Sequence, residues 1–189
     1  MEILAHTLWT TAGVIKVNAI AKKKGQPFQM STLWTAFWGI FPDLFAFTLP
    51  FVFSFYKVIS GQQQFGSFST RHQIADGFTL SHTLYQYSHS LIVFIIVFLV
   101  IWFLIKKPPW VLLGWALHIL IDIPSHALAF FPTPFLFPIS EYRFPFGVAW
   151  SNTWFMIINY STLLIVWGSI LFKKYHKSTK TAQIIDKHT

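Results

Sequence analysis

The sequence predicts an all-α fold, a polytopic bundle of membrane helices, and three observations carry that reading. Of 189 residues, 54% are hydrophobic and only six are acidic. The stretch "SLIVFIIVFLVIWFLI" (residues 90–105) holds no charge and stops against Lys106 and Lys107, which approaches the roughly 20 apolar residues that cross a bilayer. The nine tryptophans, including Trp9, Trp34, Trp110 and Trp150, mostly flank the apolar runs, where their amphipathic rings suit the membrane interface. The length allows one domain. There is no cysteine, so disulfides, thiolate zinc sites and thiol catalysis are excluded, and any metal must be held by nitrogen and oxygen.

Five apolar segments are expected, at about 3–21, 34–56, 88–105, 109–131 and 150–172, with boundaries good to a few residues. The first is the weakest, because Lys16 and Asn18 interrupt it. The polar, glycine-bearing stretch "GQQQFGSFSTRHQIADG" within 57–82 reads as an external loop. The stretch "PTPFLFPISEYRFPFG" (132–147) carries Pro132, Pro134, Pro138 and Pro145. These forbid a continuous helix, and the interleaved phenylalanines suit an aromatic cap lying over the bundle. Residues 1–172 therefore form the membrane bundle, and 173–189 a loose basic tail.

The formal charge of +8 is a signal of topology. Lys22, Lys23 and Lys24 follow the first segment, Lys106 and Lys107 the third, and Lys173, Lys174, Lys177, Lys180 and Lys187 the fifth. Only Lys57, Arg71 and Arg143 fall in the alternate loops. Basic residues concentrate on the cytoplasmic side, which puts the N-terminus outside and the C-terminus in the cytoplasm. No nucleic-acid partner is expected. The first residues, Met1 and Glu2, lack the basic start of a cleavable signal peptide.

Against this apolar background the stretch "GWALHILIDIPSHALAF" (114–130) stands out, with His118, Asp122 and His126 four residues apart. Ionisable residues inside spans are costly and mark functional sites by default. Asp43 in "WGIFPDLFAF", His89 in "YSHSLIVF" and His6 in the first segment add to the set. Carboxylates and imidazoles meeting around a cation relieve the cost together, since the ion replaces lost hydration and the ligands neutralise it. Residues four apart share a helix face, so His118 and Asp122 can reach one ion. Histidine with carboxylate suits zinc, manganese or iron better than calcium or magnesium.

Each residue also has a plain structural reading. His118 and Asp122 can form a hydrogen-bonded pair across a polar gap between helices. Asp43, following Pro42, can cap a second half-helix. His6 and His89 can be interfacial. His126 follows Pro124, whose ring removes a helix hydrogen bond and bends the chain. It is a candidate ligand to a second ion or a support for the first ligands, as is Glu141. His72, His82, His176 and His188 fall in loop or tail positions and read as solvated.

The motifs "AHTLWTTAG", "GIFPDLFAF", "YSHSLIVF" and "GWALHILIDIPSHALAFFPTPFLFP" together resemble the YdjM-like family of membrane-bound, metal-dependent hydrolases. The likeness covers about residues 3–147. It implies a metal role for His6, Asp43, His89, His118 and Asp122. The chain departs from the family pattern in "LYQYSHS", which lacks a His-Arg pair ahead of the motif. Asp43 is also followed by Leu44 and Phe45 rather than by a second aspartate. The order of ligands is remotely similar to that of zinc-dependent phospholipase C and the P1-type nucleases, an analogy that implies phosphoester hydrolysis with the last aspartate bridging two ions.

The leading expectation is thus a membrane hydrolase holding one or two divalent ions, zinc by ligand type. Asp122 and His118 sit at the catalytic centre, and a metal-bound hydroxide attacks an ester. A phosphoester or lipid-linked substrate among the membrane lipids fits the expected outward-facing site, with Arg71 or Arg143 meeting its phosphate. The expected location is the plasma membrane of a bacterium or archaeon. The competing reading is a non-enzymatic transporter, ion-binding or haem-binding protein that uses the same buried Asp/His cluster.

Overall fold

A computed structural model describes residues 2–62, 71–129 and 131–186. The order is α1 (Ile3–Lys23), α2 (Thr32–Ile59), α3 (Arg71–Ser88), α4 (Leu91–Ile105), a 3-10 turn (Trp110–Leu112), α5 (Leu113–Ser125) and α6 (Thr153–Asp186). Among the described residues there is no strand. The central element is α2, which packs on α1, α3 and α5, while α6 lies against α1.

Five spans are not what forms. Among the described residues, two helices are long and apolar enough to cross a membrane, Thr32–Ile59 and the Thr153–His176 part of α6. A third crossing results if Thr79–Ser88 and Leu91–Ile105 count as one span, bent by 58°. The reasons lie in length and polarity. At 15 residues α4 is about 22 Å long, short of a hydrocarbon core of about 30 Å. The fourth segment is helical only to Ser125, because the chain turns extended at His126 behind Pro124. In α1, Asn18 is not a flaw in a span: its side chain bonds the backbone of Met30 twice, at 2.8 Å each, bracing the turn into α2.

Two further expectations change. The polar 71–82 stretch is not a loop but the first part of α3, a helix of mixed polarity that packs against α2. The region after Lys173 continues α6 as a helix through Asp186 instead of fraying into a tail. His72 and His188 lie outside the residues whose side chains are described.

The three helices that carry the polar residues cross through one tight layer. A Cβ added to Gly114 of α5 would strike the Thr35 carbonyl oxygen of α2 and come within 2.9 Å of the Gly39 nitrogen. One added to Gly39 would strike the side chain of Thr10 in α1. Small residues permit such close backbone approach in apolar bundles. His6, Asp43 and His118 each stand one helical turn from this layer, four residues from Thr10, Gly39 and Gly114 respectively. The glycine crossing therefore sets the spacing of the layer above it.

Among the described residues from His126 to Asn152 there are turns and no helix, and this segment meets the start of α4 and the end of α5. Two carbonyls at the end of α5 are taken up by this segment: Val148 N donates to Pro124 O and Trp150 N to Ser125 O, both at 2.9 Å. At the start of α4, Leu91 N donates to Phe135 O at 3.0 Å and the Ser90 hydroxyl donates to Phe137 O. The same Ser90 Oγ accepts from Ile92 N and Val93 N at 3.1 Å, a cap of the kind worth about 1 kcal/mol.

Candidate metal centre

His6, Asp43, His89, His118 and Asp122 come together from four places in the fold. His6, His89, His118 and Asp122 have no exposed surface, and Asp43 retains 9%. The two aspartates and His118 lie on helices, while His89 sits in the sharp break between α3 and α4. Asp43 is not a helix cap, because α2 runs through Pro42 without interruption. Its carboxylate instead points at histidines, with Oδ1 3.5 Å from His89 Nε2 and 3.7 Å from His118 Nε2. Asp122 Oδ2 lies 3.1 Å from His118 Nε2 and 3.4 Å from His89 Nε2.

The proton positions that the neighbours enforce decide what this group can do. A carbonyl only accepts, so His118 Nδ1 carries a hydrogen and donates to Gly39 O at 2.8 Å. His89 Nδ1 lies 2.9 Å from Ser88 Oγ, and the Ser88 hydroxyl turns toward Tyr85 O at 3.5 Å. With the hydroxyl so turned, Ser88 Oγ is free to accept from His89 Nδ1, which is the tautomer that a metal-bound Nε2 would need. In that tautomer both Nε2 atoms carry lone pairs, and they face each other at 3.0 Å. Two such nitrogens and two carboxylate oxygens converging in an apolar bundle form a group that could hold a cation between them.

One divalent ion fits the spacing. These four ligand atoms all lie within 4.8 Å of one another. A tetrahedral ion with bonds of about 2.0–2.2 Å sets its ligand atoms about 3.3–3.6 Å apart; the separations that involve a histidine nitrogen run from 3.0 to 3.7 Å. Two carboxylates with two neutral imidazoles cancel the charge of such an ion, which suits burial. With His89 and His118 Nε2 3.0 Å apart, no haem fits between this pair of rings as they stand.

The second oxygen of Asp122 faces a different pair. Oδ1 lies 3.0 Å from His6 Nε2 and 3.5 Å from His126 Nε2. The His6 contact is close but not aligned as a hydrogen bond, and neither ring nitrogen of His6 makes one among the described residues. The His6 ring instead stacks on that of His118, with centroids 3.7 Å apart. His126 donates from Nδ1 to Phe131 O at 2.8 Å, so its Nε2 also carries a lone pair. The proline bend thus does not remove His126 from the group.

Other expected residues lie elsewhere. The Glu141 carboxylate is 79% exposed and pairs with Arg143 at 3.3 Å, so it supports no ligand. Arg71 opens α3, and its side chain lies outside the described residues. Neither arginine is among the residues described as lining the cavity beside the site.

Tyr85 is the residue that sequence reasoning missed. Its ring stacks on His89 at 3.7 Å between centroids. Its hydroxyl donates to Phe131 O at 3.0 Å, the acceptor that also fixes His126. Phe131 adopts a left-handed backbone, φ 44°, a conformation that costs a bulky residue about 1–3 kcal/mol and is held in place by such bonds. The available signal was position: Tyr85 precedes His89 by one helical turn.

No family model matches the chain, and no curated protein or solved structure matches it significantly.

Proposed function

We propose that the chain is a membrane hydrolase of the YdjM-like type, in which Asp43, His89, His118 and Asp122 hold a zinc ion and a phosphoester is cleaved. The observation that carries this reading is the convergence of two buried Nε2 atoms, 3.0 Å apart, with two carboxylate oxygens. Nitrogen and oxygen ligands in equal number favour zinc over the hard alkaline-earth ions. When bound, such an ion supplies Lewis acidity and makes water acidic enough to attack near neutral pH.

The chain's own groups complete the chemistry. Gly39 O and Ser88 Oγ hold the rings of His118 and His89 in the ligand tautomer, the service that outer hydrogen bonds give metal-bound histidines. The second oxygen of Asp122 faces His6 and His126, and these residues would hold a second ion more weakly, since only one carboxylate, already shared, would serve it. Two such ions would carry more positive charge than the two aspartates cancel, and that excess would attract an anionic ester. Asp43 and His126, the most accessible of the group at 9% and 8%, face the substrate.

The proposed orientation keeps the lysine clusters cytoplasmic. Phe28, just after Lys24, meets the ring of Trp110, just after Lys107, with centroids 5.7 Å apart, so the two clusters share one end of the bundle. The decisive test is hydrolysis of a chromogenic phosphoester by the purified chain. Activity should vanish on chelation, return with zinc and be absent in His118→Ala. Turnover that ignores chelation, or none from zinc-loaded protein, refutes the proposal.

A further inference from the structure

Beside the metal-binding group lies a cavity of about 580 Å³, within the size range of small-molecule sites. Asp43 and His126 form its inner end. One wall is a stripe of α2, in which Leu44, Phe47, Phe51 and Val52 recur at the spacing of a single helix face. Phe131 and Trp150 also line it. The stripe runs nine residues beyond Asp43, about 14 Å along the helix. At its far end Phe51 is 70% and Val52 60% exposed, on a helix apolar and long enough to cross a membrane. No lysine or arginine is among the residues described as lining it.

We infer that this groove takes the hydrocarbon chain of an amphiphilic phosphoester, which enters sideways from the bilayer and lies along α2 with its ester at Asp43 and His126. The inference rests on the hydrolase reading and narrows its substrate to a lipid. Three features favour a chain over a soluble head group. The groove is continuous with the site at one end and with the membrane-facing side of α2 at the other. Apart from Thr48 and Glu2, whose carboxylate would repel a phosphate, its walls between the inner and outer ends are aliphatic and aromatic. It offers an anion no basic side chain along its length, so only the inner end suits the phosphate.

The test uses full-length, zinc-loaded protein and the non-hydrolysable probes butyl-, hexyl- and octylphosphonate, used as free monomers, with zinc content measured on the same samples. Binding should tighten about fourfold for each added methylene that enters the groove. Phe51→Ala should weaken octylphosphonate several-fold, leave butylphosphonate unchanged and retain zinc. Leu44→Trp, which fills the groove near its inner end, should abolish the dependence on length while zinc stays bound. Affinities independent of chain length in protein that holds its zinc overturn the groove and leave the hydrolase reading standing. Length-dependent binding in protein that holds no zinc overturns the hydrolase reading and leaves the groove.

Discussion

Gly114→Ala adds one methyl group, touches no ligand and should nevertheless weaken the metal site. The new Cβ would occupy the space of the Thr35 carbonyl oxygen and lie 2.9 Å from the Gly39 nitrogen. Both are backbone atoms in the middle of α2, so neither can rotate away, and α2 and α5 must part. Overpacking of this kind costs about 1–3 kcal/mol. The same displacement separates His118 and Asp122 on α5 from Asp43 on α2, and stretches the 2.8 Å bond from His118 to Gly39 O. Metal ligands tolerate shifts of only about 0.2 Å, and loss of outer support costs about 10–100-fold in affinity. That corresponds to about 1.4–2.8 kcal/mol. Zinc affinity is measured by chelator competition on Gly114→Ala beside Gly168→Ala, whose added methyl meets nothing within 4 Å. The first should lose affinity and the second should not. Equal affinity in both would refute the claim that the glycine crossing positions the ligands.

Asp122→Asn should abolish stoichiometric zinc, because it removes the carboxylate that faces His89 and His118 with one oxygen and His6 and His126 with the other; metal analysis checks this. Tyr85→Phe should retain zinc but destabilise the protein by about 1 kcal/mol, the usual worth of a hydrogen bond. It should also slow turnover by loosening the Phe131 carbonyl that holds His126; thermal unfolding and hydrolysis rates read the two effects. Zinc affinity should fall as pH is lowered, because protons compete with the ion for the imidazole and carboxylate ligands. A titration at a series of pH values measures it, and a flat profile would argue against histidine ligation.

Much of the candidate ligand set was legible because its cost is local. A histidine and an aspartate one turn apart in "HILID" cannot hide in an apolar helix without partners, and "FPD" and "SHS" supplied them. The span count was less legible. Composition sees apolar residues but not where a helix ends, so the break at His126 and the shortness of α4 both read as continuous membrane sequence. The polarity of 71–82 likewise concealed a helix whose other face packs on α2. Gly39 and Gly114 were silent for another reason: a single glycine in an apolar run does not reveal which backbone approaches it. Tyr85 depended on a contact with Phe131, 46 residues away, which no local pattern encodes.

Elemental analysis of the purified full-length chain, wild type beside His118→Ala, tests the central claim most directly. His118 supplies the Nε2 that faces His89 at 3.0 Å and Asp122 at 3.1 Å. The account predicts at least one zinc per chain in the wild type and its loss in the variant while the protein remains folded. A wild type without stoichiometric metal, or a variant that keeps it, would contradict the account.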